Sequence, residues 1–130
     1  MEYRYYTPTD YLMLKTWWES WGWDAIPEVA LPKTGIIVSN NGEDVTAGFI
    51  YKTDSCVCWA ENYISSKTAS KEARQGAVEF LIDKMMVEAK EQGFIVMMSS
   101  VQHKGLISKL VNAGCDPNIE TNMTNLTKVL

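Results

Sequence analysis

The chain has 130 residues, 46% of them hydrophobic and 22% charged, and a formal net charge of −4. That composition predicts one globular domain over residues 1–130 with a genuine core, and it excludes a disordered chain. The acidic balance argues against general nucleic-acid binding, which needs a basic face, and no apolar run approaches the ~20 residues a membrane span requires.

The start, "MEYRYYTPTD", lacks a basic segment followed by an apolar stretch, so no secretory leader is expected and cytoplasm is the default location. Cys56, Cys58 and Cys115 are an odd number without disulfide spacing. Cys56 and Cys58 are expected on one face of a strand, as buried thiols. His103 has no cysteine nearby, so there is no zinc signature and no metal is expected.

In chain order, "EYRYY" (2–6) alternates and is aromatic, as a strand would be. "TPTDYLMLKTWWESW" reads as a helix, with Thr7 to cap, Pro8 at the first helical position and Asp10 as the acidic partner of a capping box. The prolines of 22–32 predict irregular chain or one short helix. "TGIIVSNNGEDVTAGFIY" predicts a hairpin turning at Asn41-Gly42, and Asp54-Ser55 turns into a third strand, "CVCWAENYI". A long amphipathic helix follows, with Val78, Leu81, Ile82, Met85 and Ala89 on one stripe and Gly93 at its end. "FIVMMS" (94–99) reads as a strand covered on both sides. A helix over about 103–113 and one or two strands in the tail "NIETNMTNLTKVL" complete the chain. The fold class is α/β, a mixed antiparallel and parallel sheet with helices on both faces.

These phrases, in this order, resemble the Gcn5-related N-acetyltransferase superfamily. "YRYYTPTDYLMLKTWW" is similar to its opening strand and helix, and "GIIVSNNGEDVTAGFIY" to its second and third strands. "AVEFLIDKMMVEAKEQGFIVMMSS" is similar to its long helix and fifth strand, and "HKGLISKLVNAGC" to the helix that follows. The resemblance implies a sheet split between strands 4 and 5, with acetyl-CoA in the opening and its pyrophosphate on the first amides of the long helix. Arg74, Gln75, Gly76 and Ala77 stand at that helix start. Unpaired first-turn N–H groups and the helix dipole favour an anion there, Arg74 adds charge, and Gly76 admits close approach. By the same resemblance, backbone amides around Ile64, Ser65 and Ser66 hold the thioester carbonyl and pantetheine. His103 falls near an asparagine that contacts the pantetheine arm; the plainer reading makes it a helix-start residue.

Two departures stand out. The family's phosphate phrase is Gln/Arg-x-x-Gly-x-Gly/Ala, whereas the aligned positions here are Glu72, Gln75 and Ala77. Leu110 stands where many members carry the tyrosine that protonates the departing thiolate.

Acyl transfer to an amine needs a proton acceptor, since an ammonium is no nucleophile. Glu61 is the candidate, with Tyr63 two residues on and expected on the same face. Trp18, Trp21 and Trp23 are candidate walls of the acceptor cleft, against the plainer reading that tryptophans here pack on the sheet. The leading expectation is an acetyl-CoA-dependent N-acetyltransferase acting on a small amine, a protein lysine or N-terminus, or a nucleobase amine. The resemblance extends to small members in bacteria and their viruses, hence a phage protein acting on a host component. A homodimer is left open. The alternative is an inactive relative that binds or inhibits a partner protein.

Overall fold

The computed structural model describes residues 1–118 and 123–130. Strand β1 (Glu2–Tyr5) leads through a 3-10 turn (Pro8–Asp10) into helix α1 (Tyr11–Ser20). After a second 3-10 turn (Glu28–Ala30) come strands β2 (Gly35–Asn40), β3 (Glu43–Lys52) and β4 (Val57–Ser65). Helices α2 (Lys71–Arg74) and α3 (Ala77–Glu91), strand β5 (Val96–Met98) and helix α4 (Lys104–Asn112) follow. The five strands form one sheet in the order β1-β2-β3-β4-β5, antiparallel except for the parallel β4–β5 pair.

Local chemistry explains the joints. Asn41 and Gly42 both have positive φ, 53° and 78°, as a two-residue hairpin turn demands. The Thr7 N–H donates to the Asp10 carboxylate at 3.0 Å, the expected capping-box bond. Arg4 donates to Asp44 at 2.6 and 3.1 Å and to Asp10 at 2.8 Å, joining β1, β3 and the entry to α1.

Two cores lie on opposite faces of the sheet. Neighbouring residues Ile36 and Ile37 show the alternation, one entering each core. On one face, Leu81, Met85 and Ala89 of α3 pack on Val38, Ile50 and Ala60. On the other, Leu14, Trp17 and Trp18 of α1 pack on Ile37, Ala47, Phe49 and Ile64. Leu14 and Leu81 are wholly buried, and each such side chain contributes roughly 1.5–3 kcal/mol of transfer free energy.

Several expectations need correction. Strand β5 is an edge strand, with Val96 and Met98 exposed, because α3 and its neighbours cover only one of its faces. Cys56 lies in the turn before β4 and is exposed, so only Cys58 is the buried strand thiol. No strand follows α4 among the described residues; residues 119–122 of the expected tail strands lie outside them. Among the described residues, no helix is long and apolar enough to cross a membrane.

Candidate active site

The opening depends on how far β5 accompanies β4. Its register covers Val57, Cys58 and Trp59 only. Beyond it, Ser99 Oγ donates to the Ala60 carbonyl at 2.7 Å and the Ser100 N–H donates to Glu61 Oε1 at 2.8 Å. From Asn62 to Ser65, β4 continues with no strand along that edge among the described residues. The sheet is split there.

A β-bulge sits at the split. Ala47 opposes Ile64 and Phe49 opposes Glu61, so β4 carries one residue more than β3 between those pairs. Asn62 takes the left-handed conformation, φ 56°, and its Nδ2 donates to Tyr51 Oη at 2.6 Å. The extra residue resets the alternation. Glu61 shares the α1 face with Phe49, whereas Tyr63 packs against the α3 core. The expectation that Glu61 and Tyr63 share a face is therefore overturned.

The bulge also decides which amides are free. The Ser66 N–H donates to the Val45 carbonyl at 2.7 Å, so in an alternating ladder Ile64 also faces β3 and its amide is spent in the sheet. Ser65 faces the other way, toward the split. Trp21 agrees with this, since its Nε1–H reaches the Ser65 carbonyl at 2.9 Å from that side. Of the three residues expected to offer amides, Ser65 alone presents one to the opening. The Ile64 and Ser66 assignments are corrected on that ground.

Glu61 and Tyr63 are both perturbed. Burial raises the Glu61 carboxyl above its ordinary value, and the Ser100 N–H pulls it back in part. Burial pushes the Tyr63 phenol up to about 12, against the Ser99 hydrogen bond of 3.0 Å. Tyr63 is therefore a neutral phenol at ordinary pH. Glu61, Asn62, Tyr51 and Trp59 line a depression of about 430 Å³ on the α1 face.

Helix α3 begins abruptly. Ser70 Oγ accepts from the Ala73 N–H at 3.1 Å and caps the single turn of α2, while Glu43 and Asn40 pin that turn to the β2–β3 hairpin. Gly76 then takes φ 76°, a conformation costly for any residue with a Cβ, and restarts the chain as α3. The first α3 hydrogen bond runs from the Phe80 N–H to the Gly76 carbonyl at 3.1 Å. The N–H groups of Ala77, Val78 and Glu79 precede it and find no acceptor among the described residues. Lys71, Arg74 and Gln75 line a depression of about 560 Å³ beside this start. Arg74 is exposed and makes no ion pair among the described residues.

The remaining candidates divide. His103 is the N-cap of α4, its Nδ1 accepting from the Leu106 N–H at 3.3 Å, which is the plainer of its two readings. Leu110 is buried, and α4 carries no tyrosine, so it brings no phenol to the split. Trp18 is core and lines no cleft, because its position on α1 faces the sheet. Trp21 and Trp23, beyond the end of α1, are exposed and stacked with centroids 5.9 Å apart. Ser99 and the Asn62 bulge escaped the sequence reading. The asparagine, tolerant of positive φ, was the only available signal for the bulge.

The mixed sheet, antiparallel but for its β4–β5 pair and split beyond that pair, is the fold expected from the resemblance to the Gcn5-related N-acetyltransferases. No family model and no curated protein sequence matches the chain. Solved structures match it closely in shape. An acetyltransferase of Trypanosoma brucei is 14% identical at a TM-score of 0.67, over 96% of this chain and 99% of that one. The aminoglycoside N-acetyltransferase AAC(6')-Iy, in complex with CoA, is 14% identical at a TM-score of 0.65, over 98% and 100%. A Mycobacterium tuberculosis protein in complex with CoA and NLQ is 10% identical at a TM-score of 0.74, over 95% and 76%.

Proposed function

We propose that the chain is an N-acetyltransferase that takes acetyl-CoA as acyl donor and a primary amine as acceptor. The observation that carries this reading is the presence of two donor sets without acceptors among the described residues. One is the N–H row of Ala77, Val78 and Glu79 behind Gly76, and the other is the Ser65 amide on the free edge of β4. The first suits a pyrophosphate, with Arg74 and Lys71 adding charge, and the second suits the amide of a pantetheine arm. The shared fold with proteins solved in complex with CoA supports the same donor.

In the reaction, the neutral amine attacks the thioester carbonyl. A C–N bond forms, the C–S bond breaks, and CoA departs as a thiolate. Glu61, held above its ordinary value by burial, accepts the ammonium proton. The thiolate takes its proton from solvent, because Tyr63 packs against the α3 core with its hydroxyl on Ser99 and holds its proton too tightly to supply it. No cysteine is needed, and the buried Cys58 thiol is raised rather than activated.

Calorimetric titration with acetyl-CoA tests the reading. Arg74→Ala should weaken binding by roughly 1.5–3 kcal/mol, the worth of a charge-assisted contact, without unfolding the chain. A second reading, a binding or inhibitor protein on the same fold, is favoured by the buried Leu110 and by Glu72 and Gln75 at the phosphate phrase. Absence of heat at millimolar acetyl-CoA would decide for it.

A further inference from the structure

Just past α1, two indoles stand out from the surface beside the free edge of β4. Trp21 is 39% exposed and Trp23 is 54% exposed, and their planes lie 22° from parallel. Trp21 has a structural task, since its Nε1–H holds the Ser65 carbonyl. Trp23 has none of that kind. Its backbone N–H returns to the Trp18 carbonyl at 3.2 Å, and its ring rests only against Trp21 among the aromatic contacts described. The two rings together offer a flat apolar face next to the strand edge where acyl transfer is proposed.

The surroundings narrow the chemistry. Lys67 Nζ lies 5.1 Å from the Trp21 ring centroid and donates to the Ser20 carbonyl at 3.3 Å. The cation-π position on Trp21 is thus already filled by the chain's own ammonium, which repels a polycation approaching the same rings. What remains open is the stacking surface of Trp23, which takes a flat π-system irrespective of its sequence or shape.

We propose that the Trp21–Trp23 stack is the specificity element for the acceptor, and that the acceptor is an alkyl amine bearing a planar aromatic or heteroaromatic ring system, which extends the stack on Trp23. This rests on the transferase reading above. Trp21, latched to Ser65, sets the height of the stack above the β4 edge, and Trp23 supplies the contact.

Tryptamine and n-butylamine carry the same ammonium and differ by the ring, so they isolate this contact. Thiol release from acetyl-CoA should show kcat/KM for tryptamine roughly tenfold above n-butylamine, the scale of one stacked ring. Trp23→Ala should remove that preference through KM, with CoA affinity unchanged, and Trp23→Phe should restore most of it. Equal use of the two amines, or a preference that survives Trp23→Ala, overturns the proposal. Should the protein fail to bind acetyl-CoA, the transferase reading falls separately. Saturation-transfer NMR with tryptamine then decides for the stack alone: a ring signal lost in Trp23→Ala supports it, and no signal in the parent protein overturns it.

Discussion

Gly76→Ala tests the joint between α2 and α3, on which the proposed anion site depends. Gly76 sits at φ 76°, where a Cβ presses on the following carbonyl. Space is not the difficulty. An added Cβ would meet only Met1 Cε, at 3.4 Å, an ordinary contact. The cost is therefore backbone strain alone, about 1–2 kcal/mol. At roughly 3–5 °C per kcal/mol for a domain of this size, the melting temperature should fall by about 3–10 °C. Gly76→Asn should lose less, because asparagine tolerates the left-handed region. If the chain relaxes instead of bearing the strain, the Phe80–Gly76 bond opens and the first turn of α3 frays, so acetyl-CoA affinity falls as well. Thermal denaturation followed by circular dichroism, with titration calorimetry on each variant, measures both effects. Parent-like stability in Gly76→Ala would refute the assigned geometry, and with it the claim that a positive φ sets the direction of the α3 amides.

Other expectations follow from particular contacts. Turnover should fall as pH drops through the raised value of Glu61, because only the ionised carboxylate accepts a proton; Glu61→Gln should abolish that limb and leave acetyl-CoA affinity nearly intact. In stability the same shift acts in the other direction. The folded chain holds this proton more tightly than the unfolded one, so the contribution is present below the unfolded value and is lost as pH rises through the folded value. Tyr63→Phe deletes the bond to Ser99 but leaves Ser99 paired to the Ala60 carbonyl, so denaturant titration should show a loss of only about 0.5–1.5 kcal/mol. Leu81→Ala, at a wholly buried position on α3, should cost about 2–5 kcal/mol in the same assay. A thiol reagent should label exposed Cys56 readily in the native state and reach Cys58 only on unfolding.

Much of the scaffold was legible in the chain itself. Helical spacing named the α3 stripe of Leu81, Met85 and Ala89, and the dipeptide Asn41-Gly42 named its hairpin, because both signals are local and repeat at the period of the backbone. Proline, threonine and aspartate in "TPTD" likewise announced the entry to α1. The site was less legible. Glu61 and Tyr63 look like neighbours on one face until the bulge at Asn62 separates them, and a bulge is decided by pairing with β3 across the sheet. Which of Ile64, Ser65 and Ser66 offers a free amide depends on the same register and on where β5 stops. The four tryptophans between 17 and 23 share a chemistry, yet α1 buries Trp17 and Trp18 while the chain beyond it leaves Trp21 and Trp23 exposed. Periodicity therefore determined the elements and their inward faces, since those depend on near neighbours along the chain. The free edges, unspent donors and open rings were decided only by tertiary packing, since each exists because another segment ends short of it.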